Sequence, residues 1–255
     1  MVKRKAPPRV VGVIPTRWGS TRFPGKALAD IAGKPMLQRV YERTTRARSL
    51  DDVWVATDDE RIYAAAAAWG ARVMMTAAEH PSGTDRVAEV AAQVAGDIFV
   101  NVQGDEPLLR PEAIDAAVEP LRAGGAVVMT TLARPVPAAQ APDIASPHIC
   151  KVVVDRNGDA LYFTRALVPY RRIPQVELPY LRHIGLYAFR REFLLRFTTL
   201  APTALEAAES LEMLRALAHG FKIRVVVGDF ESQGVDTPED LPAVTARLAA
   251  AGEDN

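Results

Sequence analysis

The sequence predicts an α/β protein built on a mainly parallel sheet with helices on both faces. Three observations carry that prediction. Between residues 10 and 132 short β-branched runs take turns with alanine-rich, helix-spaced segments, the alternation that crossover connections impose on a parallel sheet. The first apolar run leads into a loop of glycines and cations, at the kind of strand end where such sheets collect ligands. After residue 135 the pattern changes to short hairpin-like strands, so the 255 residues suit one large α/β domain carrying an insertion.

Taken in order, residues 10–14 are a β-branched run bounded by Pro15, as a strand buried on both faces requires. A helix follows near Pro35. Residues 53–56 read as a strand closing on Thr57 and Asp58, and residues 60–69 as a helix ended by Gly70. A strand at 72–75, a helix at 84–94, a strand at 98–102, a helix at 111–122 and a strand at 127–132 continue the series. From 135 to 147 Pro, Ala, Asp and Ser dominate, which marks a crossing out of the core. Residues 149–155 and 160–163 flank Asn157-Gly158 and predict a hairpin; residues 180–189 predict a further strand carrying Arg182, His183 and Tyr187.

Residues 205–219 have the spacing of one helix, with Glu206, Glu209 and Glu212 every third residue on a solvated face. A last core strand lies at 224–227, and Thr237-Pro238 with Asp240 opens a terminal helix, leaving Asp236 available for another task. The expected division is a disordered basic tail at 1–9, a nucleotide-binding core at 10–134, an inserted β-rich subdomain at 135–190, and a C-terminal part at 191–255 that supplies helices and the last core strand.

Composition narrows the function. Lys plus Arg number 31 and Asp plus Glu number 31, so there is no general attraction to nucleic acid or acidic lipid, and any cation that matters acts locally. Cys150 is the single cysteine, which excludes an internal disulfide framework and a thiolate zinc cluster; it reads as a small buried apolar residue. The basic opening MVKRKAPPR leads into no apolar segment of signal or membrane-spanning length, so a cytosolic location is expected.

Chemistry is concentrated at strand ends. Gly19, Ser20, Pro24 and Gly25 are interleaved with Arg17, Arg22 and Lys26; glycines let backbone amides approach a ligand, and fixed cations make such a loop a phosphate cradle. The loop is not a P-loop, because five residues separate Gly19 from Gly25 and Ala27 follows Lys26 where a metal-binding hydroxyl should stand. A flexible surface loop with solvated charges is the other reading. The cluster from His80 to Arg86 joins a glycine, two hydroxyls and an arginine at a helix start, where Ser82 or Thr84 also suits a simple cap. Asp105 and Glu106 stand beside a glycine turn at a strand end, a place suited to magnesium, which prefers one or two carboxylates plus ligand phosphates.

The stretches IPTRWGSTRFPGKAL, HPSGTDR, NVQGDEP, RHIGLY, LEMLRAL and GVDTPED, in this order over nearly the whole chain, resemble the CMP-KDO synthetase (3-deoxy-manno-octulosonate cytidylyltransferase) family. The resemblance implies a nucleotidyltransferase-type, Rossmann-like fold, a homodimer formed through the inserted strands, and a cytosolic step of lipopolysaccharide biosynthesis. It implies transfer of CMP from CTP to the anomeric hydroxyl of KDO, with magnesium and release of pyrophosphate. Carried over by position, Arg17 and Lys26 match the triphosphate-binding cations, with Ser20 beside them. Ser82, Thr84 and Arg86 fall in the cytosine-recognising segment, and Gln103 matches an amide at the nucleotide and the sugar. Asp105 and Asp236 match the metal carboxylates, and Arg165, His183, Tyr187 and Glu212 positions of the sugar-acid pocket. Met213 stands where many members have a pocket glutamine, which raises the 8-amino analogue of KDO or a small phosphonate as alternative acceptors. A catalytically silent CTP-binding relative is opposed by the joint presence of Lys26, Asp105 and Asp236.

Overall fold

A computed structural model describes residues 6–250, except 174 and 232. The elements in chain order are β1 (Val10–Thr16), β2 (Asp30–Ile31), β3 (Lys34–Pro35), α1 (Met36–Thr44), β4 (Asp52–Thr57), α2 (Glu60–Ala68), β5 (Arg72–Met75), α3 (Gly83–Gln93), β6 (Ile98–Asn101), α4 (Pro111–Arg122), β7 (Met129–Val136), α5 (Ala141–Ile144), β8 (Lys151–Val154), β9 (Ala160–Thr164), β10 (Tyr180–Arg190), α6 (Arg191–Phe197), α7 (Ala204–Glu209), α8 (Met213–Ala218), β11 (Ile223–Val227) and α9 (Leu241–Ala250). The order across the main sheet is β11-β7-β10-β6-β1-β4-β5. Every neighbouring pair on that path is parallel except those made by β10, which runs antiparallel to both β6 and β7.

Strand β1 is buried on both faces as its β-branched run predicts. Val10 and Ile14 join the cluster under α1, α2 and α4, whereas Val11 and Val13 join the cluster under α3, α6 and α8. The period-2 alternation of a strand thus feeds two layers of helices. Pro15 does not end β1, which continues to Thr16 in register with Thr57.

Three expectations are revised. Arg9, placed in the tail, exchanges backbone hydrogen bonds with Asp97: its N–H donates to the Asp97 carboxylate at 2.8 Å and its carbonyl accepts from the Asp97 and Ile98 amides at 2.8 and 3.1 Å. Residues 1–5 of that tail lie outside the described residues. The hairpin β8–β9 forms as expected, with Gly158 at φ 80° in its turn, and β10 joins it to the main sheet. Strand β10 pairs with β8 through Leu181 and Arg182, then runs on through the core to pair Phe189 with Phe99 of β6. One uninterrupted apolar strand therefore serves both the expected insertion and the core. Residues 205–219 are two helices, because Ser210 takes φ 51° and ends α7. Across that break the three glutamates take different partners: Glu206 pairs with Arg215, Glu209 accepts from Thr164, and Glu212 accepts from Thr84. Finally, β7 extends through Pro135, tolerated because β11 pairs no further than Ala133 and leaves that edge open.

An irregularity in β10 lies between Ile184 and Tyr187, where its register on β7 shifts. The Thr131 hydroxyl lies 3.2 Å from the Ile184 carbonyl and 2.8 Å from that of Leu186, so it serves backbone acceptors that the ladder leaves. Among the described residues no helix is long and apolar enough to cross a membrane.

Candidate active site

The carboxyl ends of β1 and β6 border a cavity of about 350 Å³. One wall is the loop after β1. Gly25 sits at φ 72°, which an L side chain resists, and starts a 3-10 turn over Lys26–Leu28. The Trp18 carbonyl accepts from the Ser20 amide at 2.9 Å and the Gly25 amide at 3.1 Å, so the loop closes on one oxygen. Arg17, Ser20, Arg22 and Lys26 all line the cavity. This gathering of cations with tightly turned backbone makes an anion cradle.

The facing wall comes from the start of α3 and the end of β6. Ser82 caps α3 by accepting from the Asp85 amide at 3.3 Å, and its hydroxyl donates to the Asp85 carboxylate at 2.7 Å. Gly83 packs against Pro15, where an added Cβ would lie 3.2 Å from the ring. Arg86 is buried yet lines the cavity; it donates to Asp58 at 2.8 Å, to the Thr76 hydroxyl and to the Ala77 carbonyl. Three fixed partners hold its guanidinium against the cavity wall as a planar positive surface. His80 also lines the cavity and lies 2.5 Å from Glu89, which accepts from the Ala77 amide as well.

Two carboxylates distant in sequence line the same cavity. Asp105 follows β6 and Asp236 precedes the last helix, and both line the cavity. The Lys26 ammonium donates to Asp105 at 2.5 Å and to the Val235 carbonyl at 3.1 Å, while the Val235 amide donates to the Asp105 carbonyl at 2.9 Å. Lys26 is therefore a strut joining the segment after β6 to the segment before α9, and so holds both aspartates on one cavity. Arg22 pairs with Asp236 at 2.8 Å on the open side. Among the described residues no three metal-ligating side chains converge. Two carboxylates beside a row of cations are a donor set that fits a hard, oxygen-seeking ion whose shell is completed by other oxygen ligands.

A second cluster lies beneath β10. His183 is buried, with its ring 5.1 Å from Phe163 and 5.6 Å from Tyr187. Its Nε2 lies 2.9 Å from the Thr131 hydroxyl. Burial pulls its pKa down to about 3, so the imidazole is neutral at physiological pH. Burial, then the charge of Glu212, drives the Tyr187 hydroxyl well above its ordinary range. Glu212 is raised by burial against the pull of the Thr84 and Ser82 hydroxyls. A chain of side chains ties this cluster to the cavity. Thr84 donates to Glu212, Asn101 donates to Thr84 at 3.1 Å, and Gln103, on the cavity wall, donates to Asn101 at 3.4 Å. An ionised carboxylate only accepts, so Thr84 must spend its proton on it and accept from Asn101.

The profile of the family described as Cytidylyltransferase matches residues 11–223. The chain belongs to the cytidylyltransferase family. A 3-deoxy-manno-octulosonate cytidylyltransferase of Solibacter usitatus is 52% identical over 244 residues, covering 96% of this chain and 96% of that protein. One of Geobacter metallireducens is 52% identical over 251 residues, covering 94% and 98%. The solved structure of a CMP:2-keto-3-deoxy-manno-octonic acid synthetase complexed with CTP superposes with a TM-score of 0.91 at 43% identity, over 95% of this chain and 99% of that one. An inositol-1-phosphate CTP transferase from T. maritima, 13% identical with a TM-score of 0.67 over 97% of each chain, shares the fold.

Within this cytidylyltransferase, the residues picked from sequence divide into two sets. Arg17, Ser20, Lys26, Ser82, Arg86, Gln103, Asp105 and Asp236 share one cavity. Thr84, His183, Tyr187 and Met213 are buried below it, and Arg165 is engaged elsewhere, donating to the carbonyls of Glu209 at 2.7 Å and Pro147 at 2.9 Å. Arg22 and His80 line the cavity without having been assigned a part. Arg22 was visible as a loop cation and His80 as the first residue of its polar cluster; only the packing places them at the cavity. Cys150 is partly buried and its thiol is pushed up to about 12 by burial, the state of an inert packing residue.

Proposed function

We propose that this protein transfers CMP from CTP to the anomeric hydroxyl of KDO, giving CMP-KDO and pyrophosphate. The observation that carries the reading is that Asp105 and Asp236 line one cavity with Arg17, Arg22 and Lys26, in a chain whose half-identical relatives bear that activity in their names. The chemistry needs no protein nucleophile. Arg17 and Lys26 bind the triphosphate and offset charge on the departing pyrophosphate. Arg86 and the start of α3 form the wall that takes the base, and Gln103 faces the acceptor. The acceptor oxygen bonds to the α-phosphorus, the bond to pyrophosphate breaks, and the hydroxyl proton leaves to solvent. Asp105 and Asp236 are the residues that would hold magnesium, which supplies Lewis acidity toward phosphate and acceptor oxygens when bound.

Met213 bears on the acceptor. It is buried in the apolar cluster with Phe163 and Tyr187 and is absent from the cavity wall. Its replacement of glutamine therefore takes no hydrogen-bonding group from that wall, which favours KDO over 8-amino-KDO or a phosphonate. The exposed apolar side chains Leu167, Tyr170, Ile173, Val176 and Leu178, crowded into one segment before β10, support a homodimer, and the reaction supports a cytoplasmic place in lipopolysaccharide biosynthesis. The test is to incubate purified protein with CTP, magnesium and each acid in turn and to follow pyrophosphate. Release with KDO is expected; release only with a phosphonate overturns the acceptor, and CTP binding without release over any acid overturns the catalysis.

A further inference from the structure

We infer that Arg61, on α2 outside the cavity, is a positioning residue for CTP that acts through Trp18. The loop between β1 and the turn at Lys26–Leu28 carries the phosphate-facing cations but no regular structure across residues 17–25. Its closure depends on the Trp18 carbonyl, which takes the amides of both Ser20 and Gly25. Gly25 also lies directly on the indole: a Cβ there would come 2.9 Å from Trp18 Cζ2. Whatever fixes the indole therefore fixes both turns of the loop, with Arg17, Ser20 and Lys26 attached to them.

Arg61 is what fixes it. Its guanidinium carbon lies 3.5 Å from the centroid of the Trp18 ring, well within cation–π reach. The guanidinium is itself held in a two-point bond to Asp59, with Nε to Oδ1 at 3.0 Å and Nη2 to Oδ2 at 2.6 Å. Asp59 in turn caps α2 by accepting from the Arg61 amide at 3.0 Å. The order of support runs from a helix start, through Asp59 and Arg61, to the indole and so to the loop backbone. Neither Trp18 nor Arg61 lines the cavity. A loop already ordered before the nucleotide arrives loses less conformational freedom on binding it, so the effect belongs on CTP affinity.

The inference rests on the cavity's being the CTP site, and its test needs no acid. Calorimetric titration with CTP is carried out on the full-length protein and on Arg61→Ala, Arg61→Lys, Trp18→Leu and the double variant Arg61→Ala/Trp18→Leu, with thermal melts to verify folding. Arg61→Ala is expected to weaken CTP binding about two- to five-fold, the range of an exposed cation–ring contact, and Arg61→Lys to recover part of it. In the Trp18→Leu background the same change is expected to add nothing. In turnover assays the CTP KM follows the affinity while kcat and the acceptor KM hold. Unchanged CTP affinity in Arg61→Ala, or an equal loss in both backgrounds, overturns the inference. A wrong acceptor leaves the titrations untouched, whereas failure of the unaltered protein to bind CTP overturns both readings.

Discussion

The cavity wall and the cluster beneath β10 share helix α3 but solve opposite problems. In the cavity, cations stand partly in water and their partners are carboxylates: Lys26 with Asp105, Arg22 with Asp236. Beneath β10 the ionisable groups are dry, and the structure answers with neutral forms and hydrogen bonds: a neutral His183, a raised Tyr187, a Glu212 fed by hydroxyls. Thr84 stands at the boundary, buried and spending its proton on Glu212 while its neighbours Ser82 and Gly83 face the cavity. Charge is thus kept where water can reach it, and the neutral form is favoured where ionisation would cost desolvation.

The comparison breaks most sharply at Asp105. Asp105→Asn should lower pyrophosphate release by about 10²- to 10³-fold, the scale of one lost electrostatic contact to the transition state, an effect far larger than any loss of melting temperature from the weakened Lys26 pair. Thr84→Val should do the reverse in kind. It leaves the Glu212 carboxylate short of a donor, and chemical denaturation should read a loss of about 1–3 kcal/mol; no loss would mean that Glu212 is supported otherwise.

The dry cluster also has a pH signature. His183 has a folded pKa near 3 against an ordinary 6.5. The unfolded chain therefore takes up the proton first, and the stability this neutral histidine allows is complete above 6.5 and lost as pH falls toward 3. The slope is about 1.4 kcal/mol per pH unit inside that window. Denaturation of the parent and of His183→Asn from pH 7 to pH 4 should show the parent losing more. Glu212 has the opposite sign. Its folded pKa lies above 4.5, so the penalty for ionising it grows as pH rises past that value, and Glu212→Gln should gain on the parent from pH 5 upward and match it below 4. Parallel curves for either variant would sink the corresponding claim. The smallest change is expected at Gly25, where Gly25→Ala forces a side chain into φ 72° against Trp18. A cost of about 1 kcal/mol in melts is expected, with a raised CTP KM; unaltered values of both would show that the loop can turn elsewhere.

Much of the cavity was legible because its residues are local. Gly19, Gly25 and the loop cations lie within one connection, and the strand-end position of Asp105 follows from the alternation around it. The dry cluster was not, because it is made by contacts between residues far apart. The period of three that makes Glu206, Glu209 and Glu212 look like a solvated stripe is correct arithmetic on a helix that Ser210 interrupts. The turn docks on the end of β9, where Glu209 accepts from Thr164 at 2.6 Å and from the Arg165 amide at 2.9 Å. Lys151 shows the same limit: it reads as an ordinary strand cation, yet it is fully buried with its ammonium donating to the carbonyls of Ser146, Ile149 and Arg165.

By itself the sequence determined the alternation of strand and helix, the glycine- and cation-rich loop after β1 and the family, since these depend on periodicity, turn chemistry and ordered motifs along the chain. The tertiary structure alone decided that β10 runs antiparallel through the core, that Lys26 ties Asp105 to the segment of Asp236, and that Glu212 lies under the cavity. Each of those is a pairing between distant segments, selected by burial and by the need to satisfy every polar group that burial takes from water.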